Sequence, residues 1–241
     1  MIRSDGRRAD QPRPISFELG FTRYAEGSVL AKFGETQVLC NVSLDENIPG
    51  WLRNRPEPQG WLTAEYALLP RSTHSRVQRE QRWPRGRTQE ISRLIGRSLR
   101  MAVDLHLLGE RQLIVDCDVL QADGGTRTAA VSGGWVAVNL ALQPLIAKGA
   151  ISSDVFLHQV AAISVGVVQG TPLLDLAYEE DVAAEVDLNV VMTGNGDYIE
   201  IQGTAEKSPC PGSRLIELLD LANEGARQVI VAQDQALGTT P

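Results

Sequence analysis

A strand, a glycine turn and a helix follow one another between Leu113 and Gly149, and this stretch most constrains how the chain folds. Polar and apolar residues alternate over 113–120, which is the period of a strand with one buried face. Gly124 and Gly125 then allow the backbone to turn sharply. The apolar residues after the turn recur at helical spacing, and they are Ala130, Val131, Trp135, Val138, Leu142, Leu145 and Ile146. The stretch therefore predicts a half-buried strand that turns directly into a helix.

The start of this predicted helix is a candidate anion site. Thr126 and Thr128 are suitable N-cap residues. The N–H groups of a first helical turn have no partner within the helix, and together with the helix dipole they stabilise an anion beside Gly125 and Thr126. Arg127 adds a planar guanidinium that suits phosphate. Taken alone, the stretch fits a plain helix cap with a solvent-exposed arginine better than a phosphate site, so both interpretations stay open at this point.

Basic residues are concentrated in one part of an otherwise acidic chain. The chain has a formal net charge of −7, yet residues 71–100 contain nine arginines, no lysine and two acids and so carry +7. The other 211 residues carry −14. A basic segment on an acidic body is typical of proteins that bind a phosphate-rich partner, and the exclusive use of arginine favours phosphate recognition. A solvated loop and helix face rich in arginine would show the same composition.

The remaining composition is that of an ordinary globular protein, with 43% hydrophobic and 22% charged residues. The first fourteen residues are charged and lack the apolar segment of a secretory signal. No apolar run approaches the ~20 residues that a membrane span needs, so we expect no membrane partner. Cys40, Cys117 and Cys210 form neither a metal-ligand spacing nor a disulfide framework. We therefore expect a reduced, cytoplasmic location.

Strand and helix patterns alternate along the chain in an order that predicts α/β or α+β layering with mixed sheets. Residues 70–86 are polar without a usable period and predict an exposed loop that carries function. The sequence Gly194-Asn195-Gly196 is a strong hairpin signal. We predict strands over Ile15–Tyr24, Ser28–Phe33, Thr36–Ser43, Trp61–Leu69, Gln159–Val168, Thr171–Tyr178, Ala184–Thr193 and Tyr198–Gly203, and helices over Thr88–Leu107 and Ser213–Ala236.

A second candidate site is acidic. Asp187 lies on a predicted strand and Asp181 on the acidic turn before it, so their carboxylates can converge on a hard cation such as Mg²⁺ or act as acid and base. A solvated sheet edge is the simpler interpretation of this cluster taken alone. The three histidines are scattered, which argues against a zinc site or a histidine-based triad. The cluster consists of Asp175, Glu179, Glu180, Asp181, Glu185 and Asp187.

Together these features suit phosphoryl chemistry on a nucleic acid, in which catalysis is mainly positioning and charge stabilisation. Long stretches then resemble the bacterial members of the ribonuclease PH family, which belong to the exosome-core exoribonucleases. The matching stretches cover nearly the whole chain: RSDGR (3–7), AEGSVLAKFGETQVLCNVSL (25–44), GWLTAEYALLPRSTHSR (60–76), GRTQEISRLIGRSLRMAVDL (86–105), DCDVLQADGGTRTAAVSGG (116–134), DLAYEEDVAAEVDLNVVMTGNG (175–196) and IEIQGTAE (199–206).

The resemblance implies a fold of the ribosomal-protein-S5-domain-2 type. It implies one domain over 1–241, with an N-terminal part (1–150) that holds the phosphate turn and a C-terminal part (151–241) that holds the acidic pair and the last helix. It also implies a homohexameric ring, a trimer of dimers. The implied activity is phosphorolytic 3′→5′ trimming of tRNA precursors, and of other structured RNA such as rRNA. Inorganic phosphate is the nucleophile, nucleoside diphosphates are released, and the reverse reaction adds nucleotides.

The resemblance also implies roles for individual residues. The family's acid/base carboxylates, which also bind its metal ion (Mg²⁺ or Mn²⁺), map onto Asp181 and Asp187. The phosphate site maps onto Arg87, Gly125, Thr126 and Arg127, and the tRNA contacts map onto Arg71, Arg76 and Arg79. Residues 207–212 depart from the family pattern and are expected to alter the lead-in to the last helix. Two alternatives are a non-catalytic RNA-binding ring subunit, which would be free to lose some of these side chains, and a hydrolytic nuclease, which would need a water-activating group.

Overall fold

The fold consists of two β-sheets with a long helix between them. A computed structural model describes residues 3–53, 55–80 and 86–239. The described strands are β1 (Ile15–Leu19), β2 (Gly27–Phe33), β3 (Thr36–Asp45), β4 (Trp61–Leu68), β5 (Gln112–Gln121), β6 (Val160–Val168), β7 (Thr171–Leu174), β8 (Val186–Thr193) and β9 (Tyr198–Ala205). The helices are α1 (Gly86–Arg100), α2 (Leu105–Leu108), α3 (Thr126–Ala147), α4 (Tyr178–Ala183) and α5 (Gly212–Leu237).

The first sheet has the strand order β1-β2-β3-β5-β4, and the second has the order β7-β6-β8-β9. Neighbouring strands are antiparallel except for β4 and β5, which run parallel. The predicted mixed α/β layering is therefore confirmed. The alternation over 113–120 is confirmed as well, because Val115, Cys117 and Val119 are fully buried.

Helix α3 packs against both sheets and forms the centre of the hydrophobic core. Two close approaches depend on glycine. A Cβ at Gly133 would lie 2.9 Å from the Cys40 Sγ of β3, and a Cβ at Gly27 would lie 1.9 Å from a backbone oxygen of α3. By length and composition α3 could cross a membrane, contrary to the expectation that no apolar run is long enough, but 67% of its most apolar window is buried inside the fold. A helix enclosed between two sheets is apolar on every side because no side faces water, and a membrane helix is apolar for that same reason.

The helix predicted over Thr88–Leu107 is in fact two helices. α1 begins at Gly86 and ends at Arg100, and α2 begins after Asp104. The Asp104 carboxylate accepts hydrogen bonds from the backbone N–H groups of His106 (2.8 Å) and Leu107 (3.1 Å), so it caps a new helix instead of continuing the old one.

Two predictions in the C-terminal part need correction. The strand predicted over Thr171–Tyr178 ends at Leu174, and the predicted acidic turn is the short helix α4. Helix α5 matches its prediction within one residue at each end, and it buries Leu218 and Val229 despite the unusual lead-in over 207–212. Leu215, in the first turn of the same helix, is 37% exposed.

Candidate active site

A cavity of about 750 Å³ opens where the N-terminal end of α3 meets the second sheet. Loop residues 73–75 and 77 line one side of it, and residues of α4 and β8 line the other. All six residues that the sequence assigned to the phosphate and carboxylate sites line this one cavity: Arg87, Gly125, Thr126, Arg127, Asp181 and Asp187. The structure therefore brings together side chains that are up to 100 positions apart in the sequence.

The glycine turn before α3 depends on backbone shapes that other residues rarely adopt. Gly124 and Gly125 have φ angles of +75° and +65°. A Cβ at Gly124 would lie 2.4 Å from the carbonyl oxygen of Leu176, so the turn packs directly against the chain that leads into α4. The two glycines thus set both the direction of α3 and its distance from α4.

The helix start differs from the prediction that Thr126 or Thr128 provides the cap. Gly125 occupies the N-cap position and offers no side chain to the first-turn N–H groups. The Thr128 hydroxyl donates to the Gly125 carbonyl oxygen (2.9 Å), and the Thr126 hydroxyl lies 2.9 Å from the Tyr66 hydroxyl. Since no cap side chain occupies them, the N–H groups at the start of α3 are available as donors for an anion in the cavity that this turn lines.

Arg127 is held by a small network that the sequence did not predict. Its Nη1 donates to Gln202 Oε1 (2.6 Å), and its Nη2 lies 3.2 Å from Glu90 Oε2. Gln202 Nε2 in turn donates to Glu90 Oε1 (2.7 Å). The three side chains come from α3, α1 and β9, so the guanidinium has a defined position before any ligand arrives. Arg87 is exposed in the first turn of α1, and its charge and that of Arg127 act on Asp181 and Asp187.

The two candidate carboxylates differ in their surroundings. Burial, reinforced by the charge of Asp181, raises the pKa of Asp187 to about 6. Burial also raises the pKa of Asp181, while Arg87 and Arg127 oppose that rise. Both carboxylates line the same cavity, and a bound divalent cation would offset the repulsion that Asp181 exerts on Asp187.

The donor set fits magnesium bound together with substrate. Within residues 3–53, 55–80 and 86–239, no group of three or more His, Cys, Asp or Glu side chains is placed to hold a metal ion. Mg²⁺ commonly takes one or two protein carboxylates and completes its shell with water and substrate phosphates. Asp181 and Asp187 match that pattern because both line a cavity large enough for a phosphate ester.

The loop arginines lie beside the cavity rather than in it. Arg71, Arg76 and Arg79 are exposed, and Arg71 Nη1 donates to the His74 carbonyl oxygen (3.2 Å). Arg79 acts on Asp118 of β5: burial raises the pKa of that carboxyl, and the charge of Arg79 opposes the rise. Arg82 and Arg85 of the basic segment lie outside the described residues.

Two members of the acidic cluster are structural and not solvated. Asp175 is fully buried and Glu180 is nearly so, and both pair with arginines of the N-terminal segment, namely Arg3, Arg7 and Arg13. The expectation of a solvated sheet edge is therefore wrong for these two residues. In the sequence, Asp175 and Glu180 are acidic residues near a hydrophobic strand. That pattern does not identify an arginine partner more than 160 positions away.

Comparison with known proteins gives a consistent result. Two family models match, the 3′ exoribonuclease family domain 1 over residues 11–144 and domain 2 over residues 158–225. The ribonuclease PH of Crocosphaera subtropica is 54% identical over 235 residues, which cover 98% of this chain and 97% of that protein. The ribonuclease PH of Methylobacterium radiotolerans is 52% identical over 238 residues, covering 98% and 100%.

Solved structures share the fold at lower identity. Rice (Oryza sativa) Rrp46 superposes with a TM-score of 0.78 at 17% identity, covering 98% of this chain and 100% of that one. An Archaeoglobus fulgidus exosome with RNA bound to the active site superposes at 0.76 and 22% identity, covering 95% and 91%. The two matching models together span most of the chain, and the full-length relatives share more than half of its residues. The chain therefore belongs to the ribonuclease PH group of the 3′ exoribonuclease family.

Proposed function

We propose that the cavity at the start of α3 carries out the phosphorolytic 3′→5′ exoribonuclease reaction on tRNA precursors. Inorganic phosphate attacks the terminal phosphodiester, the bond to the 3′ oxygen of the preceding nucleotide breaks, and a nucleoside diphosphate is released. The named relatives support this activity. The single observation that carries the assignment to this cavity is the convergence of a glycine turn, two arginines and two carboxylates on one space.

The nucleophile is an anion that attacks an anion, so the site has to relieve charge repulsion. The N–H groups beside Gly125 and Thr126 would hold the attacking phosphate, and Arg127 and Arg87 would partly neutralise it. Arg127 is already oriented by Glu90 and Gln202, so little reorganisation is needed when phosphate binds. This arrangement supports a phosphate site at the helix start in place of the plain cap that the isolated stretch favoured.

Asp181 and Asp187 would hold the divalent cation, for which Mg²⁺ and Mn²⁺ are the candidates. When bound, the cation supplies charge stabilisation on the scissile phosphate and on the leaving 3′ oxygen. The pKa of Asp187, about 6, also allows this group to hold or release a proton near neutral pH, which suits a proton donor to the leaving oxygen. The carboxylates would thus place a positive ion on the scissile phosphate, while the arginines neutralise the attacking phosphate.

A non-catalytic ring subunit is the second candidate function, and it is less well supported. Such a subunit needs only RNA contacts and would be free to lose the cavity side chains. Here Arg87, Thr126, Arg127, Asp181 and Asp187 are all present and all line one cavity. The relatives with more than half of the residues in common are named as nucleases.

The assembly and the location are further parts of the proposal. Two of the structures that share the fold come from archaeal exosomes, which supports assembly of this chain into a ring. We propose a hexamer, the trimer of dimers that the resemblance implies. Cytoplasmic location stays a prediction, and the free thiols of Cys40, Cys117 and Cys210 are compatible with a reducing compartment.

The activity is tested with a tRNA that carries extra 3′ nucleotides, incubated with Mg²⁺ in the presence and absence of inorganic phosphate. We expect shortened RNA and nucleoside diphosphates only when phosphate is present. Nucleoside monophosphates formed without phosphate would indicate hydrolysis and contradict the proposal. Binding without any product would favour the ring-subunit alternative.

The basic loop is tested by replacing Arg71, Arg76 and Arg79 together with alanine. We expect weaker tRNA binding and a shallower salt dependence. Each phosphate contact that forms on binding releases about one counterion from the RNA, so the loss of three contacts should lower the number of released ions by about two to three. The measurement is the slope of log affinity against log salt concentration. A matched triple replacement of Arg8, Arg214 and Arg227, which form exposed ion pairs elsewhere, serves as the control. An unchanged slope in the loop variant would remove the assignment.

A further inference from the structure

The N-terminal segment contributes three buried arginines that bind the acidic side of the site, and one of them also binds the glycine turn before α3. Arg3, Arg7 and Arg13 are each less than 10% exposed, which is rare for arginine. Arg3 forms a two-point ion pair with Glu180 of α4, through Nε (2.7 Å) and Nη2 (2.6 Å). α4 also carries Asp181, so this ion pair fixes the helix from which the candidate metal ligand projects.

Arg13 is bonded to both the acidic chain and the glycine turn. Its Nε and Nη2 donate to the two carboxylate oxygens of Asp175 at 2.8 and 2.7 Å, and its backbone N–H donates to the same carboxylate (2.8 Å). Its Nη1 donates to the carbonyl oxygen of Asp123, and its Nη2 reaches that of Gly124 (3.4 Å). These two carbonyls belong to the residues immediately before the N-cap of α3, so one guanidinium spans the gap between the turn and Asp175.

Asp175 holds the other side of this connection. It is fully buried and has a φ of +54°, a conformation that residues other than glycine seldom adopt. The two residues after it, Leu176 and Ala177, are the backbone against which Gly124 packs. The Asp123 carboxylate completes the contact by accepting from the Tyr178 N–H (3.3 Å) at the start of α4. The phosphate turn and the acidic helix are therefore tied together by side chains that do not line the cavity between them.

We propose that Arg13 and Asp175 are a positioning pair for the reaction, which sets the glycine turn, and through it the first N–H groups of α3, at the correct distance from Asp181. Arg13 acts through the Asp123 and Gly124 carbonyls and does not touch the substrate. The inference rests on the proposed phosphate site, because the turn matters to catalysis only if phosphate binds there.

A stabilising role alone does not account for this arrangement. Buried ion pairs often add little net stability, because the cost of removing two charges from water offsets their attraction. Here the ion pair also holds Asp175 at an unfavourable φ of +54°. Such backbone angles persist only where the surrounding structure fixes them. Positioning predicts a selective loss of phosphate binding, whereas a purely structural role predicts an even loss of folded, active protein.

The test compares Arg13→Lys, which keeps the charge but not the planar fork, and Asp175→Asn, which keeps the side-chain shape and tolerates a positive φ. For both variants we expect the KM for phosphate to rise by about tenfold to a hundredfold, since a shift of about 1 Å in a binding group has effects of this size. The KM for RNA should stay within about twofold, because the loop arginines are not connected to this pair. Arg8→Lys is the matched control from the same segment, since its ion pair with Asp10 is exposed.

A second readout is independent of turnover. Inorganic phosphate should raise the melting temperature of the unmodified protein, because a ligand that binds only the folded state stabilises it. Both variants should need about tenfold or more phosphate for the same shift, in line with the expected change in affinity. Unchanged phosphate dependence in both variants, or equal rises in the KM values for phosphate and RNA, would overturn the positioning role. If phosphate neither stabilises the unmodified protein nor supports its turnover, the proposed function itself fails, which is a different outcome.

Discussion

Replacing Arg127 with alanine is expected to abolish measurable phosphorolysis while tRNA binding stays within about twofold, since losing one preorganised charge-stabilising donor costs on the order of 100–1,000-fold in turnover. The side chain faces the cavity at the start of α3 and is oriented by Glu90 and Gln202, so its loss removes both a charge and a defined donor. The expected loss concerns the phosphate nucleophile and not the RNA, whose contacts are proposed to lie at the exposed loop arginines.

The measurement is steady-state phosphorolysis at saturating RNA, together with tRNA binding by the same protein. Arg93→Ala is the matched control, because Arg93 is an exposed arginine of α1 that does not line the cavity. If tRNA binding falls as much as turnover, Arg127 is an RNA contact and its assignment to the phosphate site is wrong.

Replacing Asp187 with asparagine is expected to abolish activity at every Mg²⁺ concentration and, at the same time, to stabilise the protein at pH 7. Burial and the neighbouring Asp181 raise the pKa of Asp187 to about 6, above the ordinary value of 3.8 for an aspartate. The folded protein therefore binds more protons than the unfolded chain between these two values, so wild-type stability falls as pH rises through this window. Above pH 6 the neutral asparagine avoids this loss of stability, which amounts to about 3 kcal/mol.

Chemical denaturation from pH 4 to pH 8 without metal checks this prediction. The stability difference between Asp187→Asn and wild type should be near zero at pH 4 and grow until about pH 7, while the exposed Asp220→Asn should show no such trend. In the wild type, the Mg²⁺ concentration for half-maximal activity should fall as pH rises through about 6, because protons and metal compete for the same carboxylate. An activity that instead decreases through this range would identify Asp187 as a proton donor that must stay protonated.

The features of the site that are local in sequence could be predicted from the sequence. The glycine turn, the alternation before it and the strand that carries Asp187 each depend on the periodicity of a few neighbouring residues. The resemblance to a known family then assigned Arg87 and the carboxylates to one site, and the structure brings these residues to one cavity. Their individual chemical roles stay predictions until the variants are measured.

The remaining contacts could not be predicted because they depend on tertiary structure. Arg3 meets Glu180 across 177 positions, and Arg13 meets Asp175 across 162. In the sequence these are charged residues near a chain terminus and in an acidic cluster, where exposure is the ordinary expectation. In the same way, the pattern of one helix does not reveal that sheets cover α3 on both sides, or that Asp104 starts a new helix.

The placement of α3 has a consequence for how this enzyme can adapt to temperature. The helix is 22 residues long, or about 33 Å, and a helix of this length moves nearly as a rigid rod. Its middle is fixed in the core, where Gly133 leaves no room against Cys40 of β3, and its first turn forms the floor of the cavity. A change of core volume near Gly133 would therefore shift the N–H groups that are proposed to bind phosphate, as well as the melting temperature. With the phosphate site proposed at this helix start, we expect thermal stability and affinity for the attacking phosphate to be mechanically linked, so that substitutions selected for one of them alter the other.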